Sequence, residues 1–564
     1  MSHKPKVVEV AMEISFPRAL LEKIGINASP QKAREAAMST SVGGIGPLLR
    51  ERIAEQSTQD IDVIGVTLLY ESVWIQTWHE WGQINLNKKK IGETLRQFLT
   101  PTDISFDLEI FDGTTIKVTA WKLLYEKSEV YFLSAPSITD VVYPGPKDAP
   151  ADSENPGLWA HLQRLKHSWV VGRGALELSK QLNRRVDIIT LSETPSLFAH
   201  HKIVKDIYQN DPFFNETKYI FNDHTPLEYA HPIWDVETLE TIKMDPAIYH
   251  SSQGWNAAKK TLDITSLLVG VCEGVYGVAK KHEVVMKAMP SLKIYENKIK
   301  SITNGVRVDD WQNPKLKNHQ DLSDTELLNI KTEAKKVFLD FLWRHCKLWP
   351  QWAERSLNKK FILWTRRITP YKRLDALIRL LKNPDMRERF SLLNVVIVVG
   401  GRIHQEDNKA QDMVYELVDV LEKNIKIQEQ VILLDNFNVW EGNKLFMGTD
   451  AAIMLADDTR EASATGFMKA QMNGAVILAT SDGAIPEFVH FQGQSHNPNG
   501  FFIPYINGEP QPEGLLNALE SFESAFNDPD QRIKMIRAAL LETPNVSVTR
   551  TVHEMKSFYN NILK

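Results

Sequence analysis

The chain has 564 residues, 43% of them hydrophobic and 24% charged, so it is too long for one ordinary domain and has enough apolar side chain for two or three packed cores. Its 66 basic and 71 acidic residues leave a formal charge of −5 with no long basic block, which argues against nucleic acid as the main partner. The two cysteines, Cys272 and Cys346, make neither a disulfide framework nor a Cys-based metal motif, so no metal is expected and a reducing compartment fits. Glu9 and Glu13 interrupt the apolar part of the first residues, unlike a secretory signal, and no run of about 18 apolar residues occurs. The expectation is a cytoplasmic protein without a membrane span.

In chain order, the first half mixes strand and helix signals. Strands are predicted at 7–11, 62–69, 130–133 and 187–191. Residues 41–56 read as a Gly-rich loop running into a helix. Residues 103–109 and 114–119 read as a hairpin turning at Asp112–Gly113. Residues 140–156 are rich in Pro, Gly and Asp and read as a surface loop, and 262–289 read as mostly helical. The second half is more regular. Short apolar strands are predicted at 361–364, 395–399, 431–434, 451–456, 475–480 and 501–504, with helical segments such as 375–381 and 410–421 between them. Continuous apolar strands alternating with helices predict an α/β, doubly wound parallel sheet. The expected division is 1–315, 316–545 and a C-terminal helix within 546–564, whose apolar positions Val552, Met555, Phe558, Tyr559 and Ile562 have helical spacing.

Five segments carry chemistry. Residues 461–474, E-A-S-A-T-G-F-M-K-A-Q-M-N-G, form a small-residue loop between two apolar runs and open a short helix from Thr465 to about Gly474. Its first N–H groups, at Thr465 to Phe467, would be unpaired and aimed at an anion, with Lys469 on the same helix face as Thr465. Residues 364–373, W-T-R-R-I-T-P-Y-K-R, place five cationic or phenolic donors at a strand's carboxyl end, which suits an anion site. Residues 221–232, F-N-D-H-T-P-L-E-Y-A-H-P, carry His224 and the weaker candidate His231 after an apolar run. Residues 302–311, I-T-N-G-V-R-V-D-D-W, carry Asn304 in an Asn-Gly turn, and 42–46, V-G-G-I-G, form a tight Gly-rich loop.

Taken in chain order, from about residue 7 to residue 490, these segments resemble the α-glucan (glycogen, starch and maltodextrin) phosphorylases, whose motifs include E-A-S-G-T-[GS]-x-M-K-x-x-x-N-G and [KR]-R-x-x-x-Y-K-R. The resemblance implies the GT-B architecture, two Rossmann-like domains with a cleft between them. It implies reversible phosphorolysis of an α-1,4-glucan to glucose 1-phosphate with retention, a hexosyltransferase activity dependent on pyridoxal 5′-phosphate held covalently on Lys469. Arg366, Thr465 and Gly466 would attend the cofactor. Arg367 and Lys372 would grip the substrate phosphate, together with the backbone of Gly43, Gly44 and Ile45. His224, Glu461, Asn304, Tyr371, Ser463 and Ala464 would hold the sugar. The partners implied are an α-glucan or maltooligosaccharide and inorganic phosphate; self-association is left open.

Several positions depart from the family. Ala464 stands where the motif has its first glycine, and 47–51 replaces the usual x-L-A-G-D. Residues 73–77, V-W-I-Q-T, replace G-[YI]-F-x-Q. The sugar-site segment N-[ED]-x-H-[PS] becomes S-E-T-P-S at 192–196, without its histidine, and Phe437 stands for the tyrosine that touches the cofactor phosphate. Two other readings stay open. Arg367, Lys372 and Glu461 also suit a retaining GT-B glycosyltransferase with a nucleotide-sugar donor, and the missing histidine suits a non-catalytic glucan-binding relative.

Overall fold

The computed structural model describes residues 4–78, 84–346, 350–434 and 437–564. The chain forms two compact units, one of residues 1–73, 88–303 and 551–564, the other of 74–87 and 304–550. The expected boundary near 315 therefore falls inside the second unit, and the chain crosses between units more than once.

The main sheet of the first unit contains nine strands: β1 Lys6–Val10, β2 Asp62–Leu68, β3 Thr100–Glu109, β4 Thr115–Tyr125, β5 Ser128–Ser134, β6 Ile188–Ser192, β7 Lys218–Asp223, β8 Gly274–Gly277 and β9 Ile299–Ser301. Their order is β9-β8-β7-β6-β1-β2-β5-β4-β3. From β9 to β5 every pairing is parallel, and β4 and β3 close the edge antiparallel. The interior strands are buried throughout, which is why 7–10 and 188–191 read as unbroken apolar runs apart from Glu9 and Thr190. The β3–β4 hairpin turns as expected, with Gly113 at φ +86 and the Asp112 side chain accepting from the Thr114 N–H at 3.0 Å. Helices α1 Ile45–Thr58 and α2 Pro156–Gln181 pack on β2.

The stretch 262–289 is mostly helical, as expected, at Ile264–Val271 and Lys280–Ala288, but the unexpected strand β8 interrupts it. The segment G-V-Y-G is fully buried and pairs with strands on both sides, so sheet neighbours decide a run too short to declare its own period.

The second unit has six parallel strands: β10 Lys360–Thr365, β11 Val395–Gly400, β12 Val431–Leu434, β13 Ala451–Met454, β14 Val476–Ala479 and β15 Gly500–Phe502. They lie in the order β12-β11-β10-β13-β14-β15, and each follows a predicted strand to within two residues. Helix α3 Asp324–His345 starts with a capping box between Ser323 and Glu326. It is anchored by a buried ion pair of Lys335 with Asp450 (2.6 Å), whose carboxylate also accepts from the Phe361 N–H at 2.9 Å. Helices α4 Leu374–Lys382 and α5 Asn408–Glu422 follow β10 and β11. Residues 74–87 belong to this unit through Gln76, which donates to the Gly401 carbonyl at 2.6 Å and accepts from the Ile403 N–H at 3.1 Å.

The short helix α6 Thr465–Gln471 joins β13 to β14, and α7 Val548–Ile562 ends the fold. From Thr551 onward α7 packs into the first unit, burying Val552, Met555 and Tyr559. Among the described residues no helix is long and apolar enough to cross a membrane.

Candidate active site

In an open parallel sheet, ligands bind at the carboxyl ends of two neighbouring strands whose connections leave in opposite directions. In the second sheet those strands are β10 and β13, and in the first they are β1 and β6. All the predicted site residues except Asn304 lie in the connections, loop or helix, that follow these strands or, for His224, β7, the neighbour of β6.

After β10 comes Arg366, buried, with its own N–H on the Gly400 carbonyl at 3.0 Å. One guanidinium nitrogen donates to the Leu455 carbonyl at 2.5 Å and another to the Glu461 carboxylate, while Nε is buried without a partner. Lys372 donates to the same Glu461 oxygen, Oε2, at 2.6 Å and lies 4.9 Å above the ring of Tyr371. Both recorded bonds end on Oε2, leaving Glu461 Oε1 without one among the described residues. Burial raises the Glu461 acid, but Lys372, Arg366 and Arg367 outweigh it and hold it below its ordinary range. Lys372 is pulled down to about 8, by burial first and then by Arg366, against the attraction of Glu461. Burial and the Glu461 charge push the Tyr371 phenol up to about 12. Three cations thus converge on one carboxylate, an excess of positive charge that an anion would offset.

After β13 the chain turns through Glu461, Ser463 and Ala464 into α6. Asp482, after β14, fixes this loop by accepting from the N–H groups of Arg460 (2.9 Å) and Glu461 (2.8 Å). Ala464 precedes the helix at φ +68, a left-handed position for which the family motif keeps glycine. Ser463 Oγ is buried without a partner. Lys469 is 9% exposed, with Nζ 3.8 Å from the centre of the Trp311 ring. Asn473 ties the two together, donating to the carbonyls of Trp311 (2.8 Å) and Lys469 (2.9 Å). Thr465 and Gly466, in the first turn of α6, are half-buried. A buried amine beside an aromatic face, with unspent donors at Arg366 Nε and Ser463 Oγ in neighbouring loops, fits a flat anionic cofactor such as pyridoxal phosphate. Asn304 belongs to the same unit, seven residues before Trp311. It is buried, and its carbonyl accepts from Arg550 at 2.9 Å. Phe437 packs edge-on against Phe446.

The first unit holds the rest. Gly43 and Gly44 lead into α1 at Ile45, with open space where a Gly43 side chain would stand. Glu13, beyond β1, accepts from the Val42 N–H at 2.8 Å and so fixes the entry to this loop. His224 follows β7. Burial, then the Arg52 charge, pushes its imidazole down to about 3, and Nε2 is buried without a partner. Its N–H donates to Glu193, the residue after β6, at 3.0 Å. His231 instead braces the loop, touching Thr225 O at 2.8 Å and Thr265 Oγ1 at 2.9 Å.

Residues 312–498 match the carbohydrate phosphorylase family model. The chain is a divergent relative of the α-glucan phosphorylases. It is 22% identical to the maltodextrin phosphorylase of Thermococcus litoralis, over 92% of this chain and 68% of that enzyme. It is 21% identical to the glycogen phosphorylase of Aquifex aeolicus, over 95% of this chain and 86% of that one. With the maltodextrin phosphorylase of Streptococcus pneumoniae identity is 26%, over 51% of this chain and 42% of the relative. Asp482 and Gln76 escaped sequence reasoning as positioning residues, because each acts on backbone distant in sequence. Asn473 and Trp311 lay inside quoted motifs, but only their mutual contact gives them a role.

Proposed function

We propose that the chain is a pyridoxal-phosphate-dependent α-glucan phosphorylase that converts α-1,4-glucan and phosphate reversibly to glucose 1-phosphate with retention. On this reading its two units are the two Rossmann-like domains of a GT-B enzyme. The observation that carries it is the cluster of Arg366, Arg367 and Lys372 around Glu461, beyond the carboxyl end of β10 in the same unit as the buried Lys469.

The residue types suit the reaction. Inorganic phosphate must give a proton to the glycosidic oxygen and then attack a centre with oxocarbenium character, so it needs cationic clamps and backbone donors. Arg367 and Lys372 supply the clamps, and the N–H groups of Gly43, Gly44 and Ile45 the donors. Lys469 holds the cofactor, with Arg366, Thr465 and Gly466 around its phosphate. When bound, the cofactor supplies a 5′-phosphate that shares a proton with the substrate phosphate. Glu461 accepts a sugar hydroxyl on Oε1, since Oε2 is engaged by Arg366 and Lys372. His224, neutral with Nε2 unspent, contacts the glucosyl ring, and Asn304, Tyr371, Ser463 and Ala464 complete the sugar contacts.

The test is near-UV absorbance of the purified protein, followed by borohydride reduction and peptide mapping. A pyridoxyl adduct on Lys469 and phosphate-dependent release of glucose 1-phosphate are expected. A chain produced with ample pyridoxal phosphate that carries none would overturn the reading. Release of UDP or ADP from a nucleotide sugar would then identify a transferase, and glucan binding without turnover a non-catalytic relative.

A further inference from the structure

We propose that Glu193 determines sugar recognition in the first unit: Oε1 locks the His224–Thr225 turn while Oε2 donates a hydrogen bond to a sugar oxygen. The inference rests on the glucan reading above and adds to it a recognition group in the very segment where the family histidine is missing.

The position comes first. Glu193 directly follows β6, which lies beside β1 where the connections of the first sheet diverge. Its backbone sits at φ +65 and ψ 164, a region that side-chain-bearing residues rarely adopt and that recurs at ligand clamps. The strained residue is pinned, because its N–H donates to the Asn222 carbonyl at 3.0 Å. Oε1 accepts twice, from the His224 N–H at 3.0 Å and the Thr225 hydroxyl at 2.9 Å. Oε2 has no hydrogen bond among the described residues, and the side chain is half-buried rather than sealed. One oxygen therefore shapes the loop and the other is left for a ligand.

The charges around it decide what that oxygen does. Facing Glu193 are Asp223 at the end of β7, Glu13 beyond β1, the Tyr143 phenol and the turn of His224. Asp223 keeps its negative charge: burial raises it, but His282, 3.5 Å away, and His231, 3.8 Å away, outweigh that and hold it low. His224 is neutral beside Arg52 and supplies no cation. Burial, and then the Asp223 charge, raises Glu193 to about 8. At neutral pH the group is an acid with an O–H to give, which suits a sugar oxygen and not a phosphate cation clamp.

Calorimetric binding of maltotetraose to the full chain tests this. It is done without phosphate, since Lys372 titrates in the same range and serves the phosphate. Between pH 7 and 9 the acid form of a group at about 8 falls roughly tenfold, and the wild-type affinity should fall with it. Glu193→Gln, which keeps an N–H donor at every pH, should bind with the same affinity at both, and Glu193→Ala should bind weakly at both. A Glu193→Gln protein that follows the wild-type fall, a pH-independent wild type, or a wild type that binds no maltotetraose would each overturn the inference. If Glu193→Ala does not fold, the first two proteins decide the matter, with near-UV circular dichroism to show that they fold alike. Phosphate-dependent release of glucose 1-phosphate, read on the same samples, separates the two claims. The binding signature without turnover leaves Glu193 in place and sinks the phosphorylase reading, and turnover without the signature does the reverse.

Discussion

At the scale of single residues, the site sets charge against burial. Lys372 loses its proton near pH 8, so on the proposed function its grip on phosphate should weaken above that value. The KM for phosphate is expected to rise as pH passes from 7 to 9.5, and Lys372→Arg, whose guanidinium stays charged, should move that rise to higher pH. A phosphate KM flat over this range would remove Lys372 from the clamp. For stability the sign is opposite. The folded value, about 8, lies below the unfolded 10.5, so the unfolded chain binds more protons between them. This lysine therefore makes the fold more stable as pH rises through that window. Ala464 offers a second test. Its φ of +68 costs an L-residue about 1 kcal/mol, partly offset by the stiffer unfolded chain that alanine gives. Ala464→Gly should raise stability by up to about 1 kcal/mol in urea unfolding, whereas Ala464→Val should lower it. These residue types were legible in the sequence, as was the departure from glycine. The left-handed backbone that makes the departure costly was not, since it depends on how the loop meets α6.

At the scale of elements, α3 and α6 are held together by a buried lysine. Lys331 donates to the carbonyls of Thr449 (2.7 Å) and Asn473 (2.8 Å), and burial pulls it down to about 8. Lys331→Met would keep the volume but leave two buried carbonyls unpaired. A loss of about 2–4 kcal/mol is expected in denaturant unfolding, against almost nothing for the exposed Lys336→Met. Since Asn473 also holds the carbonyl of Lys469, the variant should loosen the α6 end and accelerate hydrogen exchange there first. The strands of the second sheet could be read to within a residue or two, because fully buried parallel strands are continuous apolar runs. The strand β8 could not, because four residues that begin and end in glycine carry no period of their own.

At the scale of the whole molecule, α7 is a late addition to an early sheet. Val552, Met555 and Tyr559 are fully buried, Lys556 donates to the Gln59 carbonyl at 2.9 Å, and Phe558 and Ile562 stand where a side chain on Gly274 would have to go. Deleting 551–564 should cost the first unit about 5–9 kcal/mol, at roughly 1.5–3 kcal/mol for each of the three buried side chains. Hydrogen exchange should then rise in β7, β8 and β9 while β10 to β15 keep their protection. Equal loss in both sheets would show that the helix supports the second unit as well. The helical spacing of 552–562 predicted the helix itself, yet its place among residues 1–303 is a long-range choice.

The sequence by itself determined the α/β class, the strands of the second sheet, the cationic segment 364–373 and the loop with Lys469, since each is written in local period or in a run of residue types. Tertiary structure alone decided that Glu461 is shared by Arg366 and Lys372, that Asp482 and Asn473 hold the loops around it, and that Glu193 reaches His224. Those partners lie tens of residues apart or more in most cases, and their charge states depend on burial. Within each sheet, only the order of the strands brings such partners to neighbouring carboxyl ends.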